Sequence, residues 1–123
     1  KLDNLKEEFM KLNKIGAGEI NIFSIGQFLP YVMYATPVLD EYLMHLSNEV
    51  YDIFSVREDV TINRCYKPYN WFPHITLGKK LEKEQMIMAM RVLQTHFVPI
   101  KGKIVRLGLS QTNPHKDIIQ FNI

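Results

Sequence analysis

His74 and Thr76 are the residues of this chain best suited, by type and spacing, to do chemistry on a phosphate. They stand in the string Trp71-Phe72-Pro73-His74-Ile75-Thr76-Leu77-Gly78. An apolar-flanked His-x-Thr predicts a short strand, and side chains at i and i+2 of a strand share a face. His74 and Thr76 are therefore expected to point one way, with Ile75 and Leu77 turned into the core. An imidazole titrates near neutrality and can take or give a proton. A hydroxyl beside it can donate to a phosphate oxygen. Pro73 cannot donate to a ladder, which suits a strand start.

An isolated His-x-Thr is a common tripeptide, and a histidine between apolar residues often serves packing alone. The neighbours leave similar choices. Lys80 lies at i+6 from His74 and, if the strand continued, would share its face, whereas Lys79 would not. Lys80 is thus the candidate to neutralise phosphate charge; a solvated strand end is the other reading. Tyr66, Tyr69, Trp71 and Phe72 cluster just before the motif. An aromatic there, Tyr69 or Trp71, could stack on a base, and core packing explains a Trp or Phe equally well. His45-Leu46-Ser47 also fits H-x-[ST], but it falls inside a helical stripe. On a helix, positions i and i+2 point about 200° apart, so His45 and Ser47 cannot act together. His96 is expected near a helix end, where an imidazolium favours the dipole, and His115 in a solvated turn. Met86 and Met90 lie at helical core spacing, and no cofactor is read in the methionines.

The elements that must position these residues follow from periodicity. Leu2, Leu5, Phe9 and Leu12 form one stripe of an amphipathic helix, ended by Gly16 and Gly18. Residues 19–28 read as a strand, Leu29-Pro30 as a turn, and residues 31–36 as a buried strand. Leu39, Leu43, Leu46, Val50 and Ile53 mark a second helix. Residues 55–69 read as a long loop with room for a short strand, and such loops are often functional. After the His-x-Thr strand, Met86, Met90, Leu93 and Phe97 mark a third helix. Val105, Leu107 and Leu109, then Ile119, Phe121 and Ile123, predict a closing hairpin across Asn113-Pro114. Helix, strand, turn, strand thus occurs twice, and only the second copy is preceded by a His-x-Thr strand.

A chain of 123 residues is expected to form a single domain, residues 1–123, with a real core. Its composition, 46% hydrophobic and 23% charged, is that of a globular protein. A net charge of +2 is too small for bulk nucleic-acid or membrane binding, so any phosphate recognition must be local. One cysteine, Cys65, excludes an intrachain disulfide and a multi-thiol metal site. No apolar run approaches a membrane span and no secretory pattern is visible. A cytoplasmic location and no membrane partner are the expectations.

The string from Trp71 to Gly78 resembles the second signature of the two-histidine (2H) phosphoesterases, the 2'-5' RNA ligase-like superfamily. Ile25-Gly26-x-Phe28, followed by residues 31–38 and a long helix, is similar to that family's segment before its second motif. The resemblance covers most of residues 18–81. It implies an α+β, bilobal fold: two small antiparallel sheets with outer helices around a central cleft, related by a pseudo-twofold repeat. It implies a metal-independent phosphodiesterase or 2',3'-cyclic phosphodiesterase acting on RNA ends or nucleotides, with no cofactor and no stable protein partner. His74 would be the general base and Thr76 the phosphate-binding hydroxyl; Lys80, Tyr69 and Trp71 would bind substrate. Family members carry a second H-x-[ST], so a strand bearing it is expected upstream of Lys1, in a longer protein by about 40 to 60 residues. A catalytically silent nucleotide- or RNA-binding module of the same fold is the alternative.

Overall fold

A computed structural model describes residues 2–123, apart from the side chain of Leu2. The chain is α+β, with three α-helices and two antiparallel sheets. Its residues fall into two compact units.

One unit comprises the described residues up to Glu19, then Asp40–Phe72 and Lys103–Ile123. Helix α1 (Leu2–Met10) tightens into a 3-10 turn at Lys11–Ile15. Gly16 closes it at φ 77°, its N–H bonding the Asn13 carbonyl at 3.2 Å. Helix α2 (Glu41–Ser55) starts at Asp40, whose carboxylate accepts from the Leu43 N–H at 3.0 Å. That cap satisfies one of the orphan donors of the first turn. The buried members of the predicted stripes are Phe9 of α1, Leu12 of the 3-10 turn after it, and Leu43 and Leu46 of α2, whereas Leu39 precedes the Asp40 cap, lies outside α2 and is 41% exposed. Strands β5 (Arg106–Gln111) and β6 (Lys116–Asn122) form the closing hairpin, with Leu107 opposite Phe121 and Leu109 opposite Ile119. Phe9 sets its ring edge-on to Phe121 at 5.7 Å, so α1 packs on β6. Residues 56–72 contain no strand, only a 3-10 turn at Arg64–Tyr66 capped by the Asn63 side chain.

The other unit comprises Ile20–Leu39 and Pro73–Gly102. Its sheet has the order β3-β2-β1-β4: β1 (Gly18–Phe28), β2 (Val32–Pro37), β3 (Ile75–Gly78) and β4 (Ile100–Ile104). Strand β4 escaped the sequence reading because the middle apolar position of its Ile-Lys-Gly-Lys-Ile alternation is Gly102, which has no side chain to mark it. Helix α3 (Lys83–His96) opens with a reciprocal capping box between Glu82 and Gln85. It packs against β2, and Met33, Ala35 and Met86 are the buried apolar residues there. Met88, between the two in-phase methionines, is 57% exposed.

Candidate functional site

The His-x-Thr segment forms the edge of the four-stranded sheet. Strand β3 pairs with β2 on one side, Ile75 opposite Ala35 and Thr76 opposite Tyr34. His74 lies just before the ladder begins. Cross-strand partners share a face, so Thr76, Tyr34 and Gly26 form one row across three strands, since Tyr34 also pairs with Gly26. The His74 ring joins that face. It stands edge-on to Phe28 at 4.9 Å and meets Tyr34 at 6.0 Å. Phe28 and Tyr34 in turn touch at 4.4 Å.

Two features set this arrangement. A Cβ at Gly26 would meet the Tyr34 hydroxyl at 2.5 Å, so the glycine lets the tyrosine lie across β1 beside Phe28. Among the described residues Thr36 is the buried polar one, 7% exposed, and its hydroxyl donates to the Pro73 carbonyl at 2.9 Å. The ladder starts only at Ile75, so this side-chain bond fixes the backbone immediately before His74. Sequence reasoning missed Thr36. The available signal was a hydroxyl ending an otherwise apolar buried strand.

Several expectations need correction. Ile75 and Leu77 are not buried; they are 41% and 50% exposed. Ile75 turns to the side opposite Thr76, but an edge strand has neighbours on one flank only. Leu77 is skipped in the pairing, because Met33 faces Gly78 while Tyr34 faces Thr76. That bulge also breaks the phase argument for Lys80, since an extra residue reverses the alternation beyond it. Moreover, the strand ends at Gly78, and Lys80 sits in a left-handed turn at φ 55°. Lys80 is exposed, and strand alternation does not place it on the His74 face.

Tyr69 and Trp71 belong to the other unit. Tyr69 is 91% exposed at φ 69°. Trp71 is half-buried and lines an apolar cavity together with Leu46, Val50 and Leu109. The remaining histidines have local structural settings. His45 lies mid-α2, its Nε2 3.8 Å from Glu49. His96 is the last residue of α3. His115 is exposed in the β5–β6 turn and lies 3.0 Å from the Asp117 carboxylate. Among the described residues, no three His, Cys, Asp or Glu side chains group as metal ligands would. No helix of the described residues is long and apolar enough to cross a membrane.

Chemically, the arrangement offers an exposed imidazole steadied by two aromatic rings, with a hydroxyl two residues on and on the same sheet face. It can accept or supply one proton and donate one neutral hydrogen bond. No protein-family model matches this chain, and no curated protein matches it either.

Proposed function

We propose that this chain is the His-x-Thr-bearing part of a 2H phosphoesterase that hydrolyses a phosphodiester or 2',3'-cyclic phosphate on an RNA end or nucleotide. The observation that carries this reading is the common face of His74 and Thr76 on a rigid sheet edge, with the His74 backbone tethered through Thr36. His74 takes a proton from the attacking water, and Thr76 donates to a non-bridging phosphate oxygen. A second imidazole, on an upstream strand bearing another H-x-[ST], protonates the leaving oxygen. The pseudo-twofold repeat that would supply that strand finds support in how the helices pack. Helix α3 packs on β2, the second strand of the β1–β2 hairpin, and α1 packs on β6, the second strand of the β5–β6 hairpin. In this reading the protein works in the cytoplasm on nucleotide or RNA partners.

A silent binding module is the second reading. It is favoured by the single H-x-[ST] that the described residues place at a strand, since one imidazole can hold a phosphate without completing a proton relay.

The test uses the full natural polypeptide and an oligonucleotide ending in a 2',3'-cyclic phosphate, with EDTA present. The expected result is release of a phosphomonoester end, lost in His74→Ala. Tight binding without turnover moves the assignment to the binding module. Turnover that is indifferent to His74→Ala removes the phosphoesterase reading.

A further inference from the structure

The cavity that Trp71 lines has a volume of about 390 Å³ and lies wholly within the unit that holds α1, α2, β5 and β6. Protein interiors are close-packed, with few voids larger than a water molecule. An apolar cavity of roughly 150 Å³ already takes up benzene, and small-molecule pockets typically measure roughly 300–1,000 Å³. This cavity is therefore of ligand size. Its chemistry is uniform: none of the lining residues carries a charge. Five of them contribute rings: Phe9, Tyr51, Phe54, Tyr66 and Trp71. Its polar side chains, Ser47, Tyr51, Tyr66 and Trp71, are all neutral.

These elements are fixed independently of any ligand. Phe9 and Leu46, which line the cavity, are buried core residues. Ser47, Val50, Tyr51 and Phe54 fall on adjacent turns of α2, at i, i+3, i+4 and i+7, which is one helix face. Leu107, Gly108 and Leu109 of β5 line the cavity as well. Ile62, before the Asn63 cap, and Tyr66, the last residue of the turn it caps, complete the lining, and Tyr66 is 57% exposed.

We propose that this cavity binds a small, uncharged, flat aromatic molecule. Absence of charge in the wall selects against ions, because an anion or cation taken in would lose its hydration with no partner. The density of rings selects a flat aromatic, which gains offset or edge-on contacts in addition to burial. The site is independent of the phosphate chemistry assigned to His74 and stands or falls separately.

Trp71 is the one tryptophan of these 123 residues, and loss of the energy transfer in Trp71→Phe assigns the signal to the cavity. The probe is 1-aminoanthracene, uncharged at neutral pH, titrated into the full natural polypeptide. The expected result is saturable, one-to-one energy transfer from Trp71 to the bound probe. The anionic analogue 1-anthracenesulfonate, with the same ring system, should bind at least tenfold more weakly. Val50→Phe fills the space and should weaken aminoanthracene binding at least tenfold, with circular dichroism unchanged. If that variant does not fold, Ser47→Met intrudes from the same helix face and should give the same loss. Phe23→Ala, in the other unit, should leave binding unaltered. Absence of saturable transfer, equal binding of the sulfonate, or indifference to the filling substitution in a folded variant overturns the proposal. Refusal of the probe by the full polypeptide, with Trp71 emission already blue-shifted, gives the cavity to a segment of protein and overturns it too.

Discussion

The hydroxyl of Thr36 donates a 2.9 Å hydrogen bond to the carbonyl of Pro73, 37 residues away along the chain and one residue before His74. It makes a side-chain contact where the β2–β3 ladder has not yet begun, and it does so in a buried setting. Removing the donor while keeping the shape, in Thr36→Val, leaves the Pro73 carbonyl without this partner. Such an orphaned buried group costs about 1–3 kcal/mol. Thr36→Ser keeps the hydroxyl and should recover most of that loss. Urea denaturation of the three proteins measures it. Equal midpoints for Thr36→Val and wild type would show that the bond contributes nothing to holding the His74 backbone.

Gly26 and Tyr34 set the surroundings of the imidazole. Gly26→Ala places a methyl where the tyrosine hydroxyl end now lies, so the ring must swing away. The expected outcome is a folded protein destabilised by about 1–3 kcal/mol, the usual cost of overpacking. The His74 ring proton resonances should move as well, because Tyr34 and Phe28 both pack against that ring. Thermal unfolding and a proton NMR spectrum of the imidazole region check both parts. Unmoved His74 resonances would mean that the tyrosine is held by something other than the space at Gly26.

Much of this was legible before the structure, and the failures have identifiable causes. The stripes Phe9–Leu12 and Leu43–Leu46 announced their helices because a 3.6-residue period leaves little choice of face. The closing hairpin was legible from two alternating runs around Asn113-Pro114. Strand β4 was not, because Gly102 leaves the middle position of its alternation without a side chain. At the site, alternation correctly separated His74 and Thr76 from Ile75. It could not say that β3 is an edge, which is a property of strand order and leaves Ile75 and Leu77 exposed. Nor could it foresee the bulge at Leu77, which undoes the phase used for Lys80. Long-range partners such as Thr36 and Pro73 are invisible to any local pattern.

Tyr42 gives a pH signature to the unit built around α2. Burial raises its phenol above the ordinary value of 10.0. The hydroxyl donates to the Gly16 carbonyl at 2.8 Å, and the ring covers Gly18, where a Cβ would overlap it. The folded state therefore holds this proton more tightly than the unfolded chain. The associated stability is fully present below about pH 10 and is lost as pH rises through the folded value. Tyr42→Phe lacks both the hydrogen bond and the titration. Its deficit relative to wild type, about 0.5–1.5 kcal/mol at pH 8, should shrink above pH 10. Urea midpoints for both proteins at pH 8 and pH 10.5 decide the matter; a constant deficit would contradict the assignment.

Within the proposed chemistry, His74, Thr76 and His45 should rank in that order. His74→Ala removes the group that moves a proton, and general acid–base catalysis contributes typically about 10² to 10⁴-fold. Thr76→Ala removes one neutral donor to the developing phosphate charge while the proton relay survives, so its loss should be smaller. His45→Ala should leave turnover nearly unchanged. His45 sits in mid-helix beside Glu49, and the helix turns Ser47 to the wall of the apolar cavity. Three rates on a cyclic-phosphate-ended oligonucleotide, measured with EDTA present and on folded protein, establish the ranking. A loss in Thr76→Ala as deep as that in His74→Ala would make the hydroxyl a partner in proton transfer. A loss in His45→Ala would place the chemistry on α2 and leave the β3 edge without a catalytic role.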